Sequence, residues 1–188
     1  MITPYLGYKT MLFITVDFTD SEVESFKENR KEKDKLFTYN KYEKEFDTRW
    51  IGEACEVAFK SLLEKYNIPF VYHVKKTALD DRDFTIDDYE IDVKSYSTSY
   101  YPQSYYGCNI SNNQWKVLDT SVVNLFVFSA FLLTTRSVLL LGVITKKRFQ
   151  ETAKFYAPGT IRGKMTIQWG NWEIPISELE SIEEFLGI

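Results

Sequence analysis

The sequence predicts an α/β protein in which a mixed central β-sheet is flanked by helices. Three stretches carry that prediction. "TRWIGEACEVAFKSLLEKY" (residues 48–66) repeats apolar residues at helical spacing. "YEIDVKSY" (89–96) alternates with period two, and "VVNLFVFSAFLLTTRSVLLLGVIT" (122–145) is two continuous apolar runs. Helical patterns interleaved with strand patterns define the α/β class. A chain of 188 residues, 44% apolar and 16% aromatic, suits one domain with a full-sized core.

The elements follow in order. "MLFITVDF" (11–18) reads as a strand, and Thr19 or Asp20 caps a charged helix that runs to about Lys35. No proline or glycine interrupts residues 17–50, so residues 1–48 are expected to form a strand-helix extension ahead of a core at 49–188. The amphipathic helix comes next and ends at "NIPF". "FVYHVKKTA" reads as a strand, and "DFTIDDYEIDVKSY" as two strands joined at Asp87-Asp88. The Tyr- and Ser-rich loop "STSYYPQSYYG" leads to a short helix or turn at "SNNQWKVLDT". After the two apolar strands a helix is expected from about Lys146 to Tyr156, then a loop around "APGTIRGK" and a strand pair ending in "WEIPI". Ser177 and Glu180 have capping-box spacing for a last helix.

Residues 122–145 are long enough to cross a bilayer. Asn124 and Arg136 interrupt them and "TTRS" reads as a turn, so two adjacent strands buried on both faces are expected instead of a membrane span. The first ten residues lack the basic start and apolar core of an export signal. The two cysteines, Cys55 and Cys108, have no metal or redox spacing, which points to a reducing, cytoplasmic setting.

Net charge is −4, but it is unevenly spread. Residues 116–172 carry +6, leaving −10 for the rest of the chain, so one cationic surface can face phosphate. "TKKRF" places Lys146, Lys147 and Arg148 at the start of a helix, a candidate phosphate grip, with Arg162 and Lys164 further on. Tyr100 and Tyr101 in the tyrosine-rich loop are candidates to stack on bases, or else pack as an ordered loop. His73 is the single histidine, which excludes His-based triads and multi-histidine zinc sites. "GTIRGK" lacks the spacing of a phosphate-binding Walker loop.

Asp92 and Lys94, two apart on a strand, share one face. They are either a solvated ion pair or half of a metal site. On the amphipathic helix Ile51, Cys55, Ala58 and Leu62 mark the apolar centre and Glu53, Lys60 and Glu64 point outward. Glu56 falls at the edge of the apolar face, half turned to the core.

Glu56 in "GEACEVAF", Asp83 in "DF", Asp92 and Lys94 in "IDVKS", Gln114 in "NNQW" and the hydrophobic strands that follow occur in this chain order. The set resembles the PD-(D/E)xK nuclease superfamily, over residues 49–186. Arg82 stands where the motif's name has proline, and Asp80 and Asp81 compete with Asp83, which is preferred because Phe84 beside it looks anchored in the core. The resemblance implies a restriction-endonuclease-like fold and a metal-dependent nuclease, most simply a DNA endonuclease using Mg²⁺ with Mn²⁺ as substitute. RNA and branched DNA stay open as substrates, and a homodimer would suit cutting both strands. It further implies that Asp83, Asp92 and the Val93 carbonyl hold the metal, that Glu56 binds through water or holds a second ion, that Lys94 orients or deprotonates the attacking water, and that Gln114 is an auxiliary polar residue near the phosphate. The alternative is a nucleic-acid-binding or assembly protein that keeps the fold without cutting.

Overall fold

The computed structural model describes residues 13–36, 49–73, 82–162 and 165–188. Eleven strands and five helices occur among them: β1 (Ile14–Asp17), α1 (Asp20–Leu36), α2 (Trp50–Lys65), β2 (Val71–Tyr72), β3 (Phe84–Ile86), β4 (Tyr89–Thr98), β5 (Gly107–Ser111), α3 (Asn112–Leu118), β6 (Leu125–Leu132), β7 (Ser137–Thr145), α4 (Lys146–Thr152), β8 (Lys154–Tyr156), β9 (Ile161–Arg162), β10 (Met165–Thr166), β11 (Asn171–Pro175) and α5 (Ile182–Leu186).

The main sheet has six strands in the order β1-β7-β6-β4-β3-β2. It is mixed: β4 and β6 run parallel, and every other pair is antiparallel. The apolar stretch at 122–145 is the hairpin β6–β7, buried along nearly its whole length, with Arg136 in a left-handed conformation in the "TTRS" turn. No helix among the described residues is long and apolar enough to cross a membrane. Strands at the centre of a covered sheet bury both faces, which is why these two lack alternation.

Each face has its own core. Toward α1 and α2 the sheet presents Ile91, Val93, Leu125, Val127, Val138 and Leu140, which pack with Ile51, Cys55, Ala58, Phe59 and Leu62 of α2. The apolar stripe read from the helical spacing is the buried stripe of α2. The opposite face presents Phe126, Phe128, Ala130, Leu139 and Leu141 to α3, α4 and a second sheet in the order β5-β11-β8. Fully burying each such side chain contributes about 1.5–3 kcal/mol before conformational entropy is charged.

The N-terminal segment joins this architecture. β1 pairs with β7 as the edge strand, and α1 buries Val23 and Phe26 in the core beneath α2. Thr19 caps α1: its hydroxyl accepts the Glu22 amide while the Glu22 carboxylate accepts the Thr19 amide.

Two expectations are corrected. The helix begun at Lys146 ends at Thr152, and Lys154–Tyr156 is strand β8, paired with β11. Phe155 and Tyr156 are strand formers, and cross-strand pairing with Trp172 and Asn171 outweighs one more helical turn. The final helix is capped by Ser181, whose hydroxyl accepts the Glu184 amide, and not by Ser177. Residues Ile176–Glu178 form a 3-10 turn, and Glu180 exchanges two backbone bonds of 2.9 Å with Val143, so no helix can start before residue 181. Of "FVYHVKKTA", Val71–Tyr72 is strand and residues 74–78 lie outside the described residues.

Candidate active site

The site lies where β3 stops and β4 continues. Phe84 pairs with Ile91, Thr85 with Glu90 and Ile86 with Tyr89, through a tight turn at Asp87-Asp88. Asp87 has φ 48, a conformation that aspartate tolerates better than most residues. One residue before β3, the Asp83 amide donates to the Ile91 carbonyl at 2.7 Å, and the Asp83 Oδ2 accepts the Val93 amide at 2.7 Å. The carboxylate thus takes the place of a strand carbonyl and closes the end of the ladder. Asp83 is 0% exposed, and Phe84 beside it is wholly buried against Phe59, as the anchoring argument for Asp83 required. Asp80 and Asp81 lie outside the described residues.

Alternation along β4 decides which way the neighbours face. Ile91 and Val93 point into the core under α2, so Asp92, Lys94 and Tyr96 leave the other face. Asp92 is 4% exposed, and its Oδ2 contacts Lys94 Nζ directly. This pair is therefore enclosed, not a solvated strand face. In a strand the N–H and C=O of one residue point to the same edge. Since the Val93 amide points to Asp83, its carbonyl is directed to that same edge, where β3 has ended.

Glu56 is half-buried on α2, across the sheet from Asp92. The Tyr72 hydroxyl donates to its Oε2 at 3.0 Å. Burial first, then the negative charge of Glu56 and that of Asp83, push the Tyr72 phenol well above its ordinary range. Tyr72 thus bonds Glu56 and feels the charge of Asp83, a role that sequence reading missed; its place in the alternating "FVYHV" was the available signal. Among the described residues no three His, Cys, Asp or Glu side chains converge as one cluster. The structure brings together Asp83, the Val93 backbone, Asp92 and Lys94, and bonds Glu56 to Tyr72.

Gln114 sits in the first turn of α3 and is exposed. It completes a capping box with Ser111: the Ser111 hydroxyl accepts the Gln114 amide, and Gln114 Oε1 accepts the Ser111 amide at 3.4 Å. α3 lies on the same sheet face as Asp92, because Trp115 packs on Phe126, the register neighbour of Asp92. His73 is structural: its Nε2 bonds Thr85 Oγ1 at 2.8 Å, and Thr85 in turn donates to Glu90, which also pairs with Arg82.

The expected phosphate-binding residues are partly engaged. Lys146 Nζ donates to the Ser121 carbonyl at 3.1 Å, Arg148 pairs with Glu178 at 3.3 Å, and the Arg148 amide is bonded by the Thr145 hydroxyl. Lys147 is exposed. Tyr100 and Tyr101 are exposed, with Tyr101 packed against Phe13 at 5.5 Å between ring centroids. The Arg162 side chain and Lys164 lie outside the described residues. No protein-family model, curated protein or solved structure matches this chain.

Proposed function

We propose that the protein is a Mg²⁺-dependent nuclease of the PD-(D/E)xK type, a DNA endonuclease on a restriction-endonuclease-like fold. One relation carries this reading: Asp83 is bonded to the amide of Val93, the residue between Asp92 and Lys94. A plain strand ion pair needs no acid on the neighbouring strand and no burial. Here a second, fully buried carboxylate accepts the backbone amide between the two members of the pair. Burying two carboxylates side by side is costly and is tolerated where a cation compensates.

The donor set suits Mg²⁺, since two carboxylates and a carbonyl are hard oxygen ligands. Asp83, Asp92 and the Val93 carbonyl would hold it, with Glu56 reached through water. When bound, the ion lowers the pKa of a coordinated water and withdraws charge from the phosphate. Lys94, held against Asp92 on an enclosed face of β4, would orient the attacking water as an ammonium, or take its proton at Nζ only after losing its own. Enclosure between the two layers strengthens each of these charge interactions relative to open solvent.

The test is cleavage of circular and linear, double- and single-stranded DNA in Mg²⁺, Mn²⁺ or EDTA, with Asp92→Asn and Lys94→Ala alongside. Metal-dependent cutting that falls at least ~100-fold in both variants is expected. Wild-type rates in either variant would refute the assignment. Metal binding without DNA cutting would redirect the reading to RNA or branched DNA. Neither binding nor cutting would leave a non-catalytic nucleic-acid-binding or assembly protein.

A further inference from the structure

Arg82 occupies the place where the motif's name has proline, and the proposed chemistry does not use it. Its backbone runs directly into Asp83. Its side chain returns to the same strand pair, with Arg82 Nε 3.3 Å from Glu90 Oε2. Glu90 is two residues before Asp92 on β4, so by alternation the two carboxylates leave one face. The Thr85–Glu90 bond agrees, because Thr85 lies between Phe84 and Ile86, which both join the core under α2. Arg82 is therefore tied to the candidate site at both ends, through Asp83 in the chain and through Glu90 in space.

The bridge is buttressed. The Thr85 hydroxyl donates to the same Glu90 Oε2 at 2.8 Å, and its oxygen is 2.8 Å from His73 Nε2. A hydroxyl has one proton, so with that proton directed to Glu90 the imidazole N–H is the donor to Thr85. His73, Thr85 and Glu90 thus form a chain that ends on Arg82. A solvated ion pair contributes little to stability and needs no such chain. A guanidinium that has to meet a ligand gains from it, because an arm fixed in advance loses less freedom on binding. The Arg82 side chain is 35% exposed, so a ligand can reach it. Among the described residues no acceptor besides Glu90 meets its N–H donors. Other cations considered for the phosphate are committed: Lys94 to Asp92, Lys146 to the Ser121 carbonyl and Arg148 to Glu178.

We infer that Arg82 binds a backbone phosphate of the nucleic-acid substrate at the candidate site, with Glu90 holding its guanidinium in place. Phosphate suits what the arm presents, since planar N–H donors match two oxygens of one phosphate. A fixed cation also offsets the repulsion that a polyanion meets on approaching Asp83, Glu90 and Asp92. The inference deepens the nuclease reading and rests on it for the substrate, but it is testable without cleavage.

The experiment is fluorescence anisotropy of the full chain with a labelled DNA duplex of ~20 base pairs and with its single strand, in EDTA so that nothing is cut, over ~50–200 mM NaCl. Affinity falls with salt in proportion to the phosphates neutralised, so loss of one contact lowers the slope of log affinity against log salt by about one. Arg82→Ala is expected to show that drop on the probe that wild type binds more tightly, with affinity about tenfold lower. Arg82→Gln should show the same drop, and serves if Arg82→Ala loses the circular dichroism of wild type. Arg82→Lys should keep the slope and recover part of the affinity, since the charge remains and the fork is lost. Glu90→Gln should keep the slope too, because Arg82 retains its charge. A wild-type slope in the neutral Arg82 variants would reduce Arg82 to a counter-ion of Glu90 and overturn the assignment. An equal drop in Arg82→Lys, or no DNA binding by wild type, would overturn it as well. The assignment can stand while the nuclease reading fails, if binding behaves as stated and no metal supports cutting. It can fail while cutting persists.

Discussion

Asp83 shows how one side chain does two jobs. Its Oδ2 is the acceptor for a buried strand amide, and the same carboxylate borders the Asp92–Lys94 pair. Asp83→Ala leaves the Val93 amide without that acceptor, at a cost of about 1–3 kcal/mol. Asp83→Asn retains an oxygen at the same position and is expected to cost less. Urea unfolding of both variants measures this, and equal losses would show that the amide bond is not what Asp83 contributes. Cleavage under the proposed function should be lost in both, because the charge is gone in each. That contrast separates the structural job from the chemical one. Tyr72 is the other residue whose place matters, since it bonds Glu56 and feels the charge of Asp83.

At the scale of elements, the bend in β7 decides how the C-terminal segment closes the fold. The β6–β7 register slips between Phe128 and Ser129, and Gly142 lies in the bulge with φ +151. A Cβ there would stand 2.6 Å from the Glu180 carbonyl and 2.7 Å from the Leu179 Cβ. Glycine lets residues 179–180 reach β7, and the two Val143–Glu180 bonds fix where α5 begins. Gly142→Ala is expected to lose roughly 1–3 kcal/mol, because the clash is with backbone and cannot rotate away. A thermal unfolding midpoint within error of wild type would contradict that. The helix β4 faces, α2, was legible as an element because its stripe repeats over four turns; β8 was not, because three residues carry no period.

For the whole molecule, both cysteines are buried, one in each core. Burial pushes the Cys55 thiol up to about 12 from 9.0, against a smaller opposing effect of bonds with Ser129 and Ser95. Burial raises Cys108 as well, helped by the charge of Glu173. Above pH 9 the unfolded chain releases these protons and the folded one retains them. Stability is therefore intact below pH 9 and falls as pH rises beyond it, by up to about 1.4 kcal/mol per pH unit for each thiol. Urea unfolding at pH 8, 9, 10 and 10.5 should show the decline, and Cys55→Ala should flatten it. Parallel pH profiles for wild type and Cys55→Ala would refute the share given to that thiol.

The fold is legible in the sequence wherever a pattern repeats. The stripe of α2, the alternation of β4, the unbroken runs of β6 and β7 and the turn at Asp87-Asp88 were all readable, because burial on one face or two imposes a period on adjacent residues. The sequence also set Asp92 and Lys94 side by side, two residues apart on one strand face. Long-range packing set the rest: this pair is enclosed, Asp83 bonds the amide between its members, Glu56 on α2 bonds Tyr72, and Gln114 completes the capping box that Ser111 opens on α3. Those facts depend on where β3 ends and on which layer covers which face. Both are set by contacts between residues far apart in the chain, which leave no local period to read.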